Sequence, residues 1–329
     1  MTLLRQLHLT TAYGGASPQG EALRGEDLRG EACEESTERE QSMQRYVAQE
    51  YEALFTDSQG DHGRVREDVG AYRVRTVRAG ETVEVEAYPI WSTRVQAGRA
   101  RAYVQKHREQ VRRVHQRNRQ KHLRRLINAN FGAGDILLTL TYDTGMQPGD
   151  AGRAKRDVCN YLRRMRTLRA RLGLPELKYV YTTEVTHGER GTRYHHHLIV
   201  NGGIPREAAE GLWRAGNVNS RAARPDGYGL SAWAHYMSKS REVQEKAGAH
   251  GFACSRNLKK PWITHADRKL SVKGVQRLAE DIRQQGARIL EGAYPGYRLV
   301  EVQVRYSAFV TGAYIEARMA RKGSGKREA

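Results

Sequence analysis

Residues 178–200 read KYVYTTEVTHGERGTRYHHHLIV, in which two strand-like runs flank the polar turn HGERGT. The runs 178–186 and 193–200 are rich in β-branched and aromatic residues, so the stretch predicts a β-hairpin. The second run contains three consecutive histidines. Because side chains alternate along a strand, we expect His195 and His197 to share one face, with Cα atoms about 6.6 Å apart. His196 should then point into the opposite, packed face.

The predicted alternation makes His195 and His197 candidate metal ligands. Two imidazoles at this spacing can converge on one ion, and histidines inside an apolar strand are costly to bury without a partner. Glu184, on the first strand, can join them if it pairs opposite His195 or His197, but not if it pairs opposite His196. Two imidazoles, one carboxylate and open positions suit Mn²⁺ or Mg²⁺. The alternative is that Glu184 is a surface carboxylate paired with Arg193.

A candidate nucleophile lies further along the chain, in the segment AHYMSK at 234–239. On a helix, Tyr236 and Lys239 would be neighbours on one face. A phenol ordinarily ionises near pH 10, so its oxyanion needs a nearby cation or metal ion at neutral pH. Lys239 can supply this charge, although any amphipathic helix can produce Tyr-x-x-Lys by chance.

The charge of the chain favours a polyanionic partner. The 329 residues include 56 Lys and Arg against 37 Asp and Glu, a formal net charge of +19. No apolar run is long enough to span a bilayer, so nucleic acid is a better partner than a membrane, and we expect a soluble, cytoplasmic protein. The three cysteines are far apart in the sequence, and we expect them to be reduced.

Residues 94–128 predict one long basic helix in which only Glu109 opposes the positive charges. Such like-charge density disfavours a free helix unless an anion is nearby, so we expect contacts with DNA phosphates. The alternative is a solvated helical face. The candidate DNA-binding residues are Arg112, Arg113, Arg117, Arg119, Lys259 and Lys260.

The other segments predict an α+β fold, in which helices pack on an antiparallel sheet. Residues 135–143 predict a buried strand, and residues 150–172 predict an amphipathic helix. Its expected apolar face consists of Val158, Leu162, Met165, Leu168 and Leu172. A further hairpin is expected near 71–91, and a final strand is expected from residue 297.

The order of these motifs resembles the HUH endonuclease superfamily, specifically the rolling-circle replication initiators with one catalytic tyrosine. The resemblance rests on LTLTY (138–142), Glu184, HHH (195–197) and YMSK (236–239). SRNLKKP (255–261) and the preceding RNR…INANF segment look like the versions in bacterial plasmids, phages and integrative elements. Tyr228 lies eight residues before Tyr236, across Gly229, and so is not placed as a second nucleophile one helical turn away.

The resemblance covers about residues 95–320 and implies a ferredoxin-like or RRM-like core. Together with the composition, it predicts three parts: an acidic, partly disordered N-terminal accessory region with the hairpin near 71–91 (1–93), an HUH endonuclease domain with a leading basic helix (94–320) and a basic tail (321–329). It also implies that Tyr236 attacks a metal-polarised phosphate in single-stranded DNA or an origin hairpin. The protein would keep the 5′-phosphate and leave a 3′-OH that primes synthesis.

Other functions remain open at the level of sequence. A conjugative relaxase or a single-tyrosine transposase would use the same chemistry, and a DNA- or RNA-binding protein without catalysis would carry the histidines for structure alone. We expect that GSGK at 323–326 is not a P-loop, because Arg follows its Lys where a P-loop has Ser or Thr, and because the pattern predicts no strand before it and no helix after it. We therefore expect a host helicase and a host polymerase as partners.

Overall fold

A computed structural model of the protein describes residues 51–57, 65–188, 191–238 and 251–323. All of them lie in one compact unit. In these ranges the fold consists of seven α-helices and two antiparallel five-stranded sheets, so the predicted α+β class is confirmed.

A short 3-10 helix at Tyr51–Leu54 precedes these elements. The helices are α1 (Arg94–Lys106), α2 (Arg108–Asn130), α3 (Ala151–Arg171), α4 (Arg206–Gly211), α5 (Ser231–Ser238), α6 (Val272–Glu280) and α7 (Gln284–Ala293). The strands are β1 (Val69–Ala79), β2 (Thr82–Trp91), β3 (Ile136–Thr141), β4 (Tyr179–Gly188), β5 (Gly191–Val200), β6 (Val218–Ala222), β7 (Ala253–Cys254), β8 (Trp262–Asp267), β9 (Tyr297–Tyr306) and β10 (Ala313–Arg321).

The predicted hairpin at 178–200 forms β4 and β5 in the sheet that we call sheet B, with the order β6-β3-β5-β4-β7. Strand β5 is central because β3 and β4 pair with it on either side. Helix α3 packs on one face, where Val158, Leu162 and Met165 are buried as predicted. Leu172 was wrongly assigned to this apolar face, since it lies after the last helical residue and is 51% exposed.

Helices α2 and α5 cover the other face of sheet B. Leu126 and Ile127 of α2 and Trp233 of α5 join a buried cluster that includes Ile199 of β5. Ile199 has the same strand parity as His195 and His197, so these two helices lie on the face that carries the histidine pair. Helix α5 therefore lies directly over the candidate site.

The predicted hairpin near 71–91 is confirmed as β1 and β2. It belongs to a second sheet, sheet A, with the order β8-β1-β2-β10-β9. Sheet A combines strands from both sides of the predicted boundary at 93/94, because β8, β9 and β10 come from residues 262–321. Helices α6 and α7 cover the apolar face of this sheet, where Val83 and Val85 of β2 are buried.

The expectation of one continuous basic helix is wrong, because the helix is interrupted at His107. The backbone of His107 leaves the helical region (φ −111°, ψ 56°) and separates α1 from α2. The His107 ring stacks on the Tyr103 ring at a centroid distance of 3.9 Å, and Phe309 packs against Tyr103 at 4.6 Å. The ring contacts therefore accompany a break in the helix that the composition did not reveal.

Buried carboxylates on sheet A neutralise part of the positive charge of α2. Lys121 Nζ lies 3.4 Å from Glu86 and 2.9 Å from Glu316, and Arg125 Nη2 lies 2.6 Å from both Glu84 and Glu86. Burial alone would raise the pKa of Glu86, but these cations outweigh it and hold the pKa well below its usual range. Along the C-terminal half of the basic helix, the expected anion is therefore provided by glutamates of the protein itself.

We expect Glu86→Gln to lower the free energy of unfolding by about 3–5 kcal/mol, because Lys121 and Arg125 would remain buried with fewer counter-charges. Urea denaturation at neutral pH measures this loss. Since the folded pKa of Glu86 is lowered, its contribution is present above about pH 4.3 and is lost as the pH falls further. The Glu86→Gln variant should therefore lose less unfolding free energy than the unsubstituted protein as the pH is lowered.

The matched control for this prediction is Glu81→Gln. Glu81 pairs with Arg321 at 2.7 Å, but both side chains are more than half exposed. An exposed pair contributes no more than about 1 kcal/mol. Equal losses in the two variants would contradict the role given to the buried network.

Candidate active site

The strand register places Glu184 on the same face as the histidine pair. Glu184 pairs opposite His195, which is one of the two registers that sequence reasoning required. Glu184 Oε2 lies 2.9 Å from His197 Nε2, and Thr139 Oγ1 on β3 lies 3.3 Å from His197 Nδ1. Both nitrogens of His197 therefore have polar partners that orient the ring.

His196 occupies the opposite face, as predicted. Its side chain is fully buried, with Nε2 3.0 Å from the Tyr142 hydroxyl and Nδ1 2.9 Å from Thr183 Oγ1. Burial, reinforced by the two flanking histidines, lowers its pKa to about 3. His196 is therefore a neutral packing residue with two hydrogen bonds, and is separated by the sheet from the face of His195.

His195 and His197 differ in their surroundings. His197 is 3% exposed beneath Tyr236 and Trp233, whereas His195 is only partly buried. Partial burial lowers the pKa of His195, and the Glu184 carboxylate opposes this shift without cancelling it. The lowered pKa favours the neutral imidazole, which is the form that can bind a metal ion.

Tyr236 projects from α5 over this face. Its ring centroid lies 4.7 Å from that of His197, in an edge-to-face arrangement, and 5.2 Å from that of Trp233, on which it stacks. Tyr236 is nevertheless 44% exposed, so an incoming group can reach it. The structure thus brings together His195, His197, Glu184 and Tyr236, whereas Lys239 lies outside the described residues.

The contact between α2 and α5 positions the tyrosine. Asn128 Oδ1 accepts a hydrogen bond of 2.9 Å from the Leu230 amide, one residue before α5 begins. The preceding residue, Gly229, has φ +74°, and a Cβ there would lie 2.7 Å from Asn128 Oδ1. Glycine is therefore needed at this position both for its backbone conformation and for the close approach of Asn128.

The donor types fit the predicted metal ion, because two imidazoles and a carboxylate share one face. In the structure, however, Glu184 contacts His197 directly. Across the described ranges, no group of three or more His, Cys, Asp or Glu side chains is arranged to hold a metal ion. Mn²⁺ or Mg²⁺ at His195, His197 and Glu184 therefore stays a proposal.

The six predicted DNA-binding residues lie in four different environments. Arg112 and Arg113 are exposed and reach Glu109 of the same helix at 3.1 and 3.5 Å. Arg117 lies 3.8 Å from the buried Glu52, while Arg119 is partly buried. Their contacts with DNA stay a prediction.

Lys259 and Lys260 are exposed on the loop before β8. The loop is tied to the end of α2, because the Lys259 amide donates to Asn130 Oδ1 at 2.7 Å and the Lys259 carbonyl accepts from Asn130 Nδ2 at 2.8 Å. This arrangement places both lysines near the C-terminus of the basic helix. Phosphate binding by them also stays a prediction.

Comparison with known families identifies a match over the part of the chain that contains this site. Residues 135–241 match a family model whose description begins "Replication-associated protein ORF2". The match supports a replication initiator. It extends from β3 through α5 and so includes His195, His197, Glu184 and Tyr236. No curated protein and no solved structure gives a significant match.

Two further findings bear on the sequence predictions. Cys159 and Cys254 are free thiols, whereas Cys33 lies outside the described residues. In the described part of the chain, no helix is long and apolar enough to cross a membrane.

Sequence reasoning missed a basic groove beside Tyr236. Its lining includes Arg206, Arg221, Arg224 and Trp233 as well as the tyrosine itself. The three arginines are scattered over a short helix, an edge strand and a loop, and their spacing carries no motif. Arg221 and Arg224 reach the groove because β6 pairs with β3 at the edge of sheet B, and Arg206 joins them from α4, where its Nη1 lies 3.5 Å from the Ser220 carbonyl of β6.

Proposed function

We propose that this protein is a rolling-circle replication initiator that nicks single-stranded DNA and becomes covalently attached to it through Tyr236. The observation that carries the proposal is the position of Tyr236, which is exposed, yet lies 4.7 Å from the His197 ring, measured between centroids, on the face shared with His195 and Glu184. The family match over residues 135–241 supports the replication role.

In the proposed reaction, the Tyr236 oxygen attacks the scissile phosphorus. The bond between phosphorus and the 3′-oxygen breaks, the tyrosine proton is lost, and the leaving oxygen takes up a proton to become a 3′-OH. The new phosphodiester joins Tyr236 to the 5′-phosphate. The free 3′-OH would serve as a primer for a host polymerase, and a host helicase would unwind the duplex.

The side chains around Tyr236 have defined roles in this proposal. Trp233 stacks on the tyrosine ring, and His197 packs against it in an edge-to-face arrangement, so the phenol is held over the site before DNA arrives. His195, His197 and Glu184 would hold Mn²⁺ or Mg²⁺. When bound, this ion would polarise the phosphate and stabilise its developing charge. Lys239 would stabilise the tyrosine oxyanion.

Mapping of the covalent adduct tests the proposal. The protein is incubated with Mn²⁺ or Mg²⁺ and single-stranded oligonucleotides that tile both strands of the replicon encoding it, and the digested adduct is analysed by mass spectrometry. We expect a nucleotide on the peptide that contains Tyr236, together with a released fragment that ends in a 3′-OH. An adduct on another residue, or no adduct with any tile, would refute the proposal.

A further inference from the structure

A groove of about 690 Å³ runs from Tyr236 to the edge strand β6. Arg221 lies on β6, Arg206 at the start of α4 and Arg224 just after β6, and all three are exposed. Trp233 of α5 contributes a buried wall next to Tyr236. The groove thus joins three positive charges to the position of the proposed nucleophile.

The charge of this groove is not neutralised by the carboxylates that the structure describes. In the described part of the chain, no carboxylate lies within salt-bridge distance of Arg206, Arg221 or Arg224. The one acidic residue in the lining, Asp226, accepts a hydrogen bond of 2.7 Å from the Tyr228 amide in the turn before α5, and the three arginines outnumber it. The buried cations of α2, in contrast, are matched by glutamates of sheet A.

A stack of three groups connects the groove to Tyr236. The Arg221 guanidinium carbon lies 5.1 Å from the centroid of the Trp233 ring, whose other stacking partner is Tyr236 at 5.2 Å. The cation–π contact holds an otherwise mobile side chain in position. The Arg221 guanidinium is therefore separated by a single aromatic ring from Tyr236, the residue that would attack the DNA.

We propose that Arg206, Arg221 and Arg224 bind the sugar-phosphate backbone of single-stranded DNA next to the scissile phosphate. This inference rests on the proposed function, because the groove opens at Tyr236. Single-stranded DNA fits the groove because each nucleotide brings a negative phosphate, and exposed guanidinium groups bind phosphate oxygens in a planar fork. Such contacts position the strand and do not read its sequence.

Binding of oligo(dT) tests this inference in a Tyr236→Phe background, where no adduct can accumulate. We expect the triple substitution Arg206→Gln, Arg221→Gln and Arg224→Gln to weaken binding by roughly tenfold at low salt and to reduce the slope of log affinity against log salt by about 2, since each lost phosphate contact to a single strand removes about 0.7. The Arg→Lys triple should keep most of the slope because it keeps the charge.

The matched control removes three exposed arginines from α3, on the opposite face of sheet B: Arg156, Arg163 and Arg171. We expect it to leave the slope nearly unchanged. An unchanged slope in the groove triple, an equal fall in the control, or an equal fall in the Arg→Lys triple would each overturn the inference. None of these results depends on an adduct at Tyr236, so failure of the groove and failure of the tyrosine chemistry are distinguishable.

Discussion

Tyr236→Phe is expected to abolish the covalent protein–DNA adduct and to lower single-strand nicking by roughly 10³-fold or more, the scale on which loss of a nucleophile acts. The substitution removes one oxygen and keeps the ring, so the contacts with His197 and Trp233 should persist. Binding of single-stranded DNA should therefore be unchanged. Denaturing gels report the adduct, and fluorescence anisotropy reports binding.

Tyr228→Phe provides the matched control. Tyr228 is buried, and its hydroxyl lies 3.4 Å from the Val83 carbonyl. Burial, together with the nearby Glu84, raises the pKa of Tyr228 well above its ordinary value, so it is a poor nucleophile. This variant should still form the adduct. An adduct that survives Tyr236→Phe and disappears in Tyr228→Phe would reverse the assignment.

Replacement of either histidine on the Tyr236 face of sheet B is expected to have the next largest effect. His195→Ala and His197→Ala should each lower nicking by about 10²- to 10³-fold, because a bound metal ion is worth several kcal/mol in stabilising a phosphate transition state and each 1.36 kcal/mol corresponds to a factor of ten. Both variants should also bind Mn²⁺ more weakly, which electron paramagnetic resonance measures without any turnover.

His196→Ala should act differently, because His196 lies on the face of sheet B that packs against α3, opposite Tyr236. Loss of its hydrogen bonds with Tyr142 and Thr183 should lower the unfolding temperature, while Mn²⁺ binding and nicking persist below that temperature. Equal loss of nicking in all three variants, each stably folded, would contradict the division of the histidines between two faces.

The arrangement around β4 and β5 could largely be predicted from the sequence, because it depends on the two-residue period of a strand. That period separates His196 from its neighbours whatever the rest of the fold does. The position of Glu184 depends in addition on the hairpin register, which could not be predicted from the sequence. Pairing opposite His195 or His197 places Glu184 on their face, whereas pairing opposite His196 does not. The observed pairing is with His195.

Long-range partners could not be predicted in the same way. The sequence shows the positive charge of α2, but the carboxylates that match Lys121 and Arg125 lie on β2 and β10, far away along the chain. The strands β6, β8 and β10 were not predicted either. Strands β6 and β8 pair with the distant strands β3 and β1 and are largely exposed, so they lack a buried alternating pattern. Strand β10 pairs with the neighbouring β9 as well as with β2, but it is buried along nearly its whole length and therefore lacks the alternation too.

The hydrogen bond from Leu230 to Asn128 also bears on the thermodynamics of DNA recognition. Helix α2 is anchored to sheet A by its buried ion pairs, and through Asn128 it holds the first turn of the short helix that carries Tyr236. An isolated helix of eight residues is not stable in water. The conformational entropy of this segment is therefore lost when the protein folds, and the affinity for DNA is not reduced by having to order the nucleophile.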